Sequence, residues 1–202
     1  MRLLARLGGL DDVQARSPSL LPEWTVGHVL THLARNADAL ASVLAAAERG
    51  ETVPMYPSMA SRFVAIEMGS SRSAAELVDD VGASIERLES CLATMTGRGW
   101  AGAGVAAFGP LPVAEVPWRR WREVEVHGSD LGPHVEWAST HGDWPADFVR
   151  FELVRMQMVW ASRRPMGLTA LPELALAAAP NDRLAWLFGR RTIDGLAAAG
   201  IF

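Results

Sequence analysis

At 202 residues the chain has room for one ordinary domain of about 150 residues and a smaller companion, not for two full domains. Half of it is hydrophobic and 21% is charged, which supplies a sizeable core and excludes a disordered chain. Nineteen basic residues against 23 acidic ones leave a formal charge of −4, which argues against a dedicated nucleic-acid binder.

The elements follow in order. Leu3, Leu4, Leu7 and Leu10 sit at helical spacing within an amphipathic opening segment, residues 1–16. SPSLLPEW (17–24) is a turn, because its two prolines interrupt any helix. Thr25 then stands as the N-cap of a helix running to about Arg49, where Gly50 ends it. After the loop ETVPMYPSM a further helix starts near Met59, breaks around Gly69-Ser70-Ser71, and resumes with Leu77, Val81, Ile85, Leu88, Leu92 and Met95 on one face. The Gly- and Pro-rich stretch 97–117 has room for a short strand or hairpin. A fourth long helix is expected from Trp118 to about Leu131, and residues 131–145 form a polar connection. Residues 146–202 make a smaller part with helices near 146–162 and from Asp182 to Phe188. The pattern is mainly α, four helices packed as a bundle with a small attachment.

MRLLARLGGLDD is too short and too charged for a secretory signal, and no apolar run approaches the ~20 residues of a membrane span. The expectation is a soluble, cytoplasmic protein with no membrane partner and no nucleic-acid partner. The single cysteine, Cys91, excludes an internal disulfide and a multi-cysteine zinc site, and it reads as a buried small hydrophobe.

Of five histidines, His28 and His32 lie four apart on the first long helix, whose apolar stripe is Val26, Val29, Leu30, Leu33, Ala37, Leu40 and Leu44. On a helical wheel His32 falls roughly 110° from the stripe centre and His28 roughly 150°. His32 is therefore the better inward-reaching ligand. In WRRWREVEVHGSDL (118–131), Glu123 and His127 are also four apart, on one shoulder of the stripe of Trp121, Val124 and Leu131. Such a pair can bind one divalent metal from a single helical turn, and His32 from a facing helix would complete three protein ligands. Three ligands leave a position open for water or substrate, as in catalytic zinc sites. On the bare pattern alone, solvated surface pairs remain the commoner outcome. His134 and His141 read as exposed, and Trp24, Trp118 and Trp121 flank the candidate ligands.

Three stretches together resemble the mycothiol-dependent maleylpyruvate isomerase family, within the DinB-like metalloenzymes. These are PSLLPEWTVGHVLTHLARNADAL (18–40), MYPSMASRFVAIEMGSSRSAAELVDD (55–80) with Arg62, Ile66 and Glu67 in register, and PVAEVPWRRWREVEVHGSDL (112–131). The resemblance implies a DinB-like four-helix bundle over 1–145 and a small, shortened α/β C-terminal part over 146–202. It implies one divalent metal, usually zinc, on His32, Glu123 and His127, with mycothiol as the thiol cofactor. Iron, nickel or cobalt would suit the same donors. It also implies that a thiolate adds to the double bond of maleylpyruvate, allows rotation, and is expelled to give fumarylpyruvate. Arg62 and Arg190, carried over from family positions, would hold carboxylates and the developing enolate. Mycothiol use fits an actinobacterial host, as does a composition in which every basic residue is arginine.

The chain departs from the family pattern in places. Gly128 follows His127 where the family often has a second histidine, and Glu23 replaces a usual glycine. Only MGLTALPELALAAAPND separates the C-terminal blocks, enough for one or two strands. Two alternatives stand beside the isomerase: a mycothiol S-transferase that conjugates electrophiles, and a non-catalytic bundle that binds small molecules or holds a structural metal. The chain is expected to be a monomer or a homodimer.

Overall fold

The computed structural model describes residues 2–107, 109–135 and 144–201. The chain divides into two compact units, Met1–Trp137 and Ala138–Phe202. Two short helices, α1 (Arg2–Leu7) and α2 (Asp12–Arg16), precede the long helix α3 (Val26–Glu48). Thr25 caps α3 with its side-chain oxygen on the His28 amide, and the Thr25 amide donates to His28 Nδ1 at 3.1 Å. His28 thus fills the place that glutamate or glutamine takes in most capping boxes. Gly50, at φ +79°, closes the far end in a left-handed conformation that costs glycine nothing.

Helices α4 (Met59–Ser70), α5 (Ala74–Thr94) and α7 (Val116–Asp130) all pack against α3. Small residues permit the approach: a Cβ at Gly27 would run into the Ser70 carbonyl at the end of α4. The break between α4 and α5 is a restart, in which Ser73 caps α5 and Glu76 Oε2 accepts from the Ser73 amide at 2.9 Å. One set of buried side chains joins Leu3, Leu7, Leu30, Leu33, Leu77, Val81 and Leu131. A second joins Leu40, Leu44, Leu88, Leu111, Val113 and Val116. Each fully buried leucine contributes about 1.5–3 kcal/mol.

After the single turn α6 (Gly97–Trp100) comes a hairpin of β1 (Ala103–Ala106) and β2 (Gly109–Pro112), antiparallel with Gly104 opposite Leu111. Gly104 lies against Val43 of α3, where a Cβ would collide. The chain leaves the hairpin through a 3₁₀ turn, Val113–Glu115, straight into α7. The hairpin therefore anchors the start of α7 to the side of α3.

The C-terminal unit holds α8 (Ala146–Ser162), α9 (Glu173–Ala177) and α10 (Pro180–Leu187). Its core sets Trp160 against Trp186 at 5.3 Å with the rings tilted by 45°, and Trp144 edge-on to Phe148 and Phe188, each at 5.8 Å. The one or two strands expected between the C-terminal blocks are absent among the described residues, so no strand gives this unit an α/β character. In their place Pro172 precedes a helical turn of Glu-Leu-Ala-Leu-Ala, and Arg183 donates to the carbonyls of Ala175, Leu176 and Ala178. Strong helix formers with their last carbonyls satisfied leave nothing to drive a strand.

The connection expected over 131–145 and the exposure of His141 fall largely outside the described residues. No helix among the described residues is long and apolar enough to cross a membrane.

Candidate metal centre

α3 and α7 bring His32, Glu123 and His127 together, with one ligating atom from each lying within 4.8 Å of the other two. Glu123 Oε2 sits 3.0 Å from His32 Nε2 and 3.6 Å from His127 Nε2. The two imidazoles meet edge to face, with centroids 4.6 Å apart. His32 is 3% exposed, whereas Glu123 and His127 remain partly open.

His127 is braced from behind. Its Nδ1 lies 2.8 Å from Oδ2 of Asp130, a fully buried carboxylate one turn further along α7. That pairing places a ring proton on Nδ1 and turns Nε2 towards the cluster, the arrangement that orients a metal-binding histidine. The sequence reading missed Asp130. The signal was the HGSD run, which puts a carboxylate three residues after the histidine on the same face.

His32 has a different neighbour. Arg62, half-buried on α4, donates from Nη2 to His32 Nδ1 at 3.1 Å. The same guanidinium lies over the rings of Tyr56 at 5.7 Å and Phe63 at 5.3 Å. Trp24 meets His32 edge-on at 5.7 Å and stacks on His28 at 6.1 Å.

The electrostatics suit a cation. Burial, helped by the charges of His127 and Arg62 and opposed by Glu123, pulls the His32 pKa down to about 4. Burial alone would push Glu123 up. The hydrogen bond and charge of His32, with His127 and Arg120, outweigh burial and bring it down to about 2. At neutral pH the pair is a neutral imidazole and a carboxylate, the forms in which both residues ligate metals.

Arg120, which the sequence pattern does not single out, is buried one turn before Glu123. Its Nη1 donates to the Leu33 carbonyl at 2.9 Å and to Asn36 Oδ1 at 3.0 Å, tying α7 to α3 beside the cluster. Burial lowers its pKa to about 10, which leaves it charged.

His28 does not join the three. Its Nδ1 is taken up by the α3 cap, its Nε2 lies 3.2 Å from the exposed Glu67, and its side chain is 14% exposed. The helical wheel, which points His28 outwards, assumes one wet face on α3. In fact 17 of the 23 residues of α3 are buried, so the helix has no such face. Among the described residues no fourth side chain completes the group, and Gly128 is buried beside His127. Trp118 and Trp121 pair with each other at 5.1 Å, and Cys91 is free and partly buried against the second set of core residues. Arg190 belongs to the C-terminal unit, where its Nη1 donates to the Phe188 carbonyl at 2.9 Å beside a cavity of about 480 Å³.

The helical unit thus brings two histidines and a glutamate together from two helices, with one histidine braced by a buried aspartate, in the donor pattern of a candidate divalent-cation site. A family model described as the mycothiol maleylpyruvate isomerase N-terminal domain matches residues 1–132, and the chain belongs to that family. The chain is similar to a crystal structure of the mycothiol-dependent maleylpyruvate isomerase, at 27% identity and a TM-score of 0.81, over 93% of this chain and 83% of that one. A histidine-to-alanine mutant of the mycothiol-dependent maleylpyruvate isomerase is similar at 26% identity, with the same TM-score and coverage. Comparison with curated proteins found no match.

Proposed function

We propose that this chain is a metal-dependent enzyme that uses mycothiol to isomerise maleylpyruvate, or a similar unsaturated keto acid, from cis to trans. The reaction class is that named for the similar crystal structure and for the family. The observation that carries the reading is the His32–Glu123–His127 group, with its neutral imidazole, its carboxylate and the Asp130 brace.

In this reading His32, Glu123 and His127 hold one divalent cation, zinc by preference for this mixed nitrogen and oxygen donor set. When bound, the cation supplies the positive charge that keeps a small thiol in its nucleophilic thiolate form at neutral pH. Asp130 orients His127, and Arg120 keeps α7 in register with α3. Arg62, beside the cluster and partly open to solvent, grips a substrate carboxylate through its planar fork and stabilises the enolate charge. Arg190, in the C-terminal unit, is the second arginine that the family resemblance offers for a carboxylate. The metal chemistry falls in the proposed 1–145 bundle, and Arg190 lies in the proposed, reduced 146–202 domain.

The test is a thiol-dependent assay of the metal-loaded protein with maleylpyruvate. Conversion to fumarylpyruvate that needs mycothiol, and is lost in Arg62→Ala, is the expected result. A stable thioether product, formed equally well by Arg62→Ala, would replace the isomerase with an S-transferase.

A further inference from the structure

We infer that the Arg62–His32 hydrogen bond and a metal ion on His32 exclude each other, so that metal loading frees the Arg62 guanidinium for an anionic ligand. The inference rests on the metal reading above and concerns how this chain's own residues respond to it. His32 is almost fully buried, and both of its ring nitrogens have partners: Nε2 faces Glu123 Oε2 at 3.0 Å, and Nδ1 faces Arg62 Nη2 at 3.1 Å. A guanidinium carries five N–H donors and no acceptor. Nδ1 must therefore present its lone pair to Arg62, which places the ring proton on Nε2, donated to Glu123.

A metal at the cluster needs the lone pair of Nε2, the nitrogen that points there. The neutral ring then carries its one proton on Nδ1. One proton leaves Nε2, one is held on Nδ1, and the ring charge does not change. Two donors now face each other at 3.1 Å around a buried ring, and a buried donor without an acceptor is costly. The guanidinium has to leave.

The two histidines are thus set in opposite senses. His127 has a carboxylate at Nδ1 and is ready for a metal as it stands, while His32 has an arginine there and is not. Among the described residues Arg62 has no carboxylate partner. Away from His32 it keeps the rings of Tyr56 and Phe63 and a hydrogen bond with the Tyr56 side chain, none of which neutralises its charge. A released Arg62 is therefore a charged, partly exposed group awaiting an anion at the edge of the cluster. By linkage, whatever anion Arg62 takes will in turn favour metal on His32.

The experiment measures Zn²⁺ affinity of the full chain by competition with a chromophoric chelator, for wild type, Arg62→Gln and Arg62→Met. A glutamine oxygen can accept from Nδ1–H, whereas methionine only removes the charge and the donor. Zn²⁺ binding about tenfold tighter in Arg62→Gln than in wild type, with Arg62→Met between them, is expected. Long-range ¹H–¹⁵N spectra of the histidine rings, assigned with His32→Ala, should place the His32 proton on Nε2 without Zn²⁺ and on Nδ1 with it. A merely structural role for Arg62 would not move that proton. If wild type takes up no metal, the metal reading falls and this inference falls with it. If wild type takes up Zn²⁺ but Arg62→Gln binds no tighter, or the His32 proton sits on Nδ1 throughout, the coupling alone is overturned.

Discussion

The two units bury polar groups for different ends. In the C-terminal unit several indole and guanidinium donors return to the local backbone, Trp160 to Ala170, Trp186 to Ala197, Arg164 to Ala199 and Arg183 to three carbonyls at the end of α9, while Arg150 and Arg191 pair with nearby aspartates. Each such bond satisfies a donor and ties down a stretch of local backbone. In the N-terminal unit His32, Glu123, His127, Asp130, Arg62 and Arg120 answer mainly one another across α3, α4 and α7. Backbone partners give stability alone. Side chains that perturb one another's charge are the ones suited to chemistry, and that contrast is the reason the proposed function is assigned to the first unit.

The contrast can be broken most severely at the cluster. Glu123→Gln, which keeps the shape but removes the charge, should abolish metal uptake and thiol-dependent turnover while leaving the far-ultraviolet circular dichroism unchanged. Retained metal would show that the carboxylate is not a ligand. In the other unit, Trp186→Ala should cost about 3–5 kcal/mol in denaturant unfolding and leave metal content of the folded protein intact. Equal damage to metal uptake would erase the distinction between the units.

A smaller change tests the brace. Asp130→Asn should weaken metal binding by roughly 10–100-fold without abolishing it, read by chelator competition. An affinity equal to wild type would leave Asp130 with a packing role only.

The pH dependence of the metal-stripped protein gives a further test. His32 sits at about 4 in the fold against an ordinary 6.5, and Glu123 at about 2 against 4.5. Both values are depressed, so the unfolded chain binds more protons over the interval in each case. Stability from His32 is complete above about pH 6.5 and is lost as pH falls towards 4, and that from Glu123 is lost between about 4.5 and 2. His32→Ala should flatten the upper part of this acid limb in unfolding titrations, and an unchanged slope would contradict the burial of the neutral ring.

The smallest expected effect is at the head of α3. Thr25→Val removes the cap oxygen and should cost about 1 kcal/mol, read as a lower melting temperature. A larger loss, accompanied by loss of metal, would mean that the cap also positions His32.

Much of this was legible from spacing. Thr25 and Gly50 bracket α3, Gly69-Ser70-Ser71 marks the restart into α5, and the i, i+4 spacing of Glu123 and His127 puts both on one face of α7. The environment of α3 was not legible, because a hydrophobic stripe reports only the most apolar face. It is silent when alanines and glycines let neighbours close on the others, and so His28 was read as outward-facing. The pairing of Arg62 with His32 spans 30 residues, and the seat of Arg120 against Leu33 and Asn36 spans more than 80. Neither follows from periodicity. The C-terminal strands were expected from the resemblance, where the local composition of LPELALAAA already favoured a helical turn.

The most direct test of the account is the metal content of the purified protein by elemental analysis, wild type beside His32→Ala. About one divalent ion per chain in wild type, absent from the variant, is the predicted result. No metal in either protein after reconstitution at neutral pH, or equal metal in both, would contradict it.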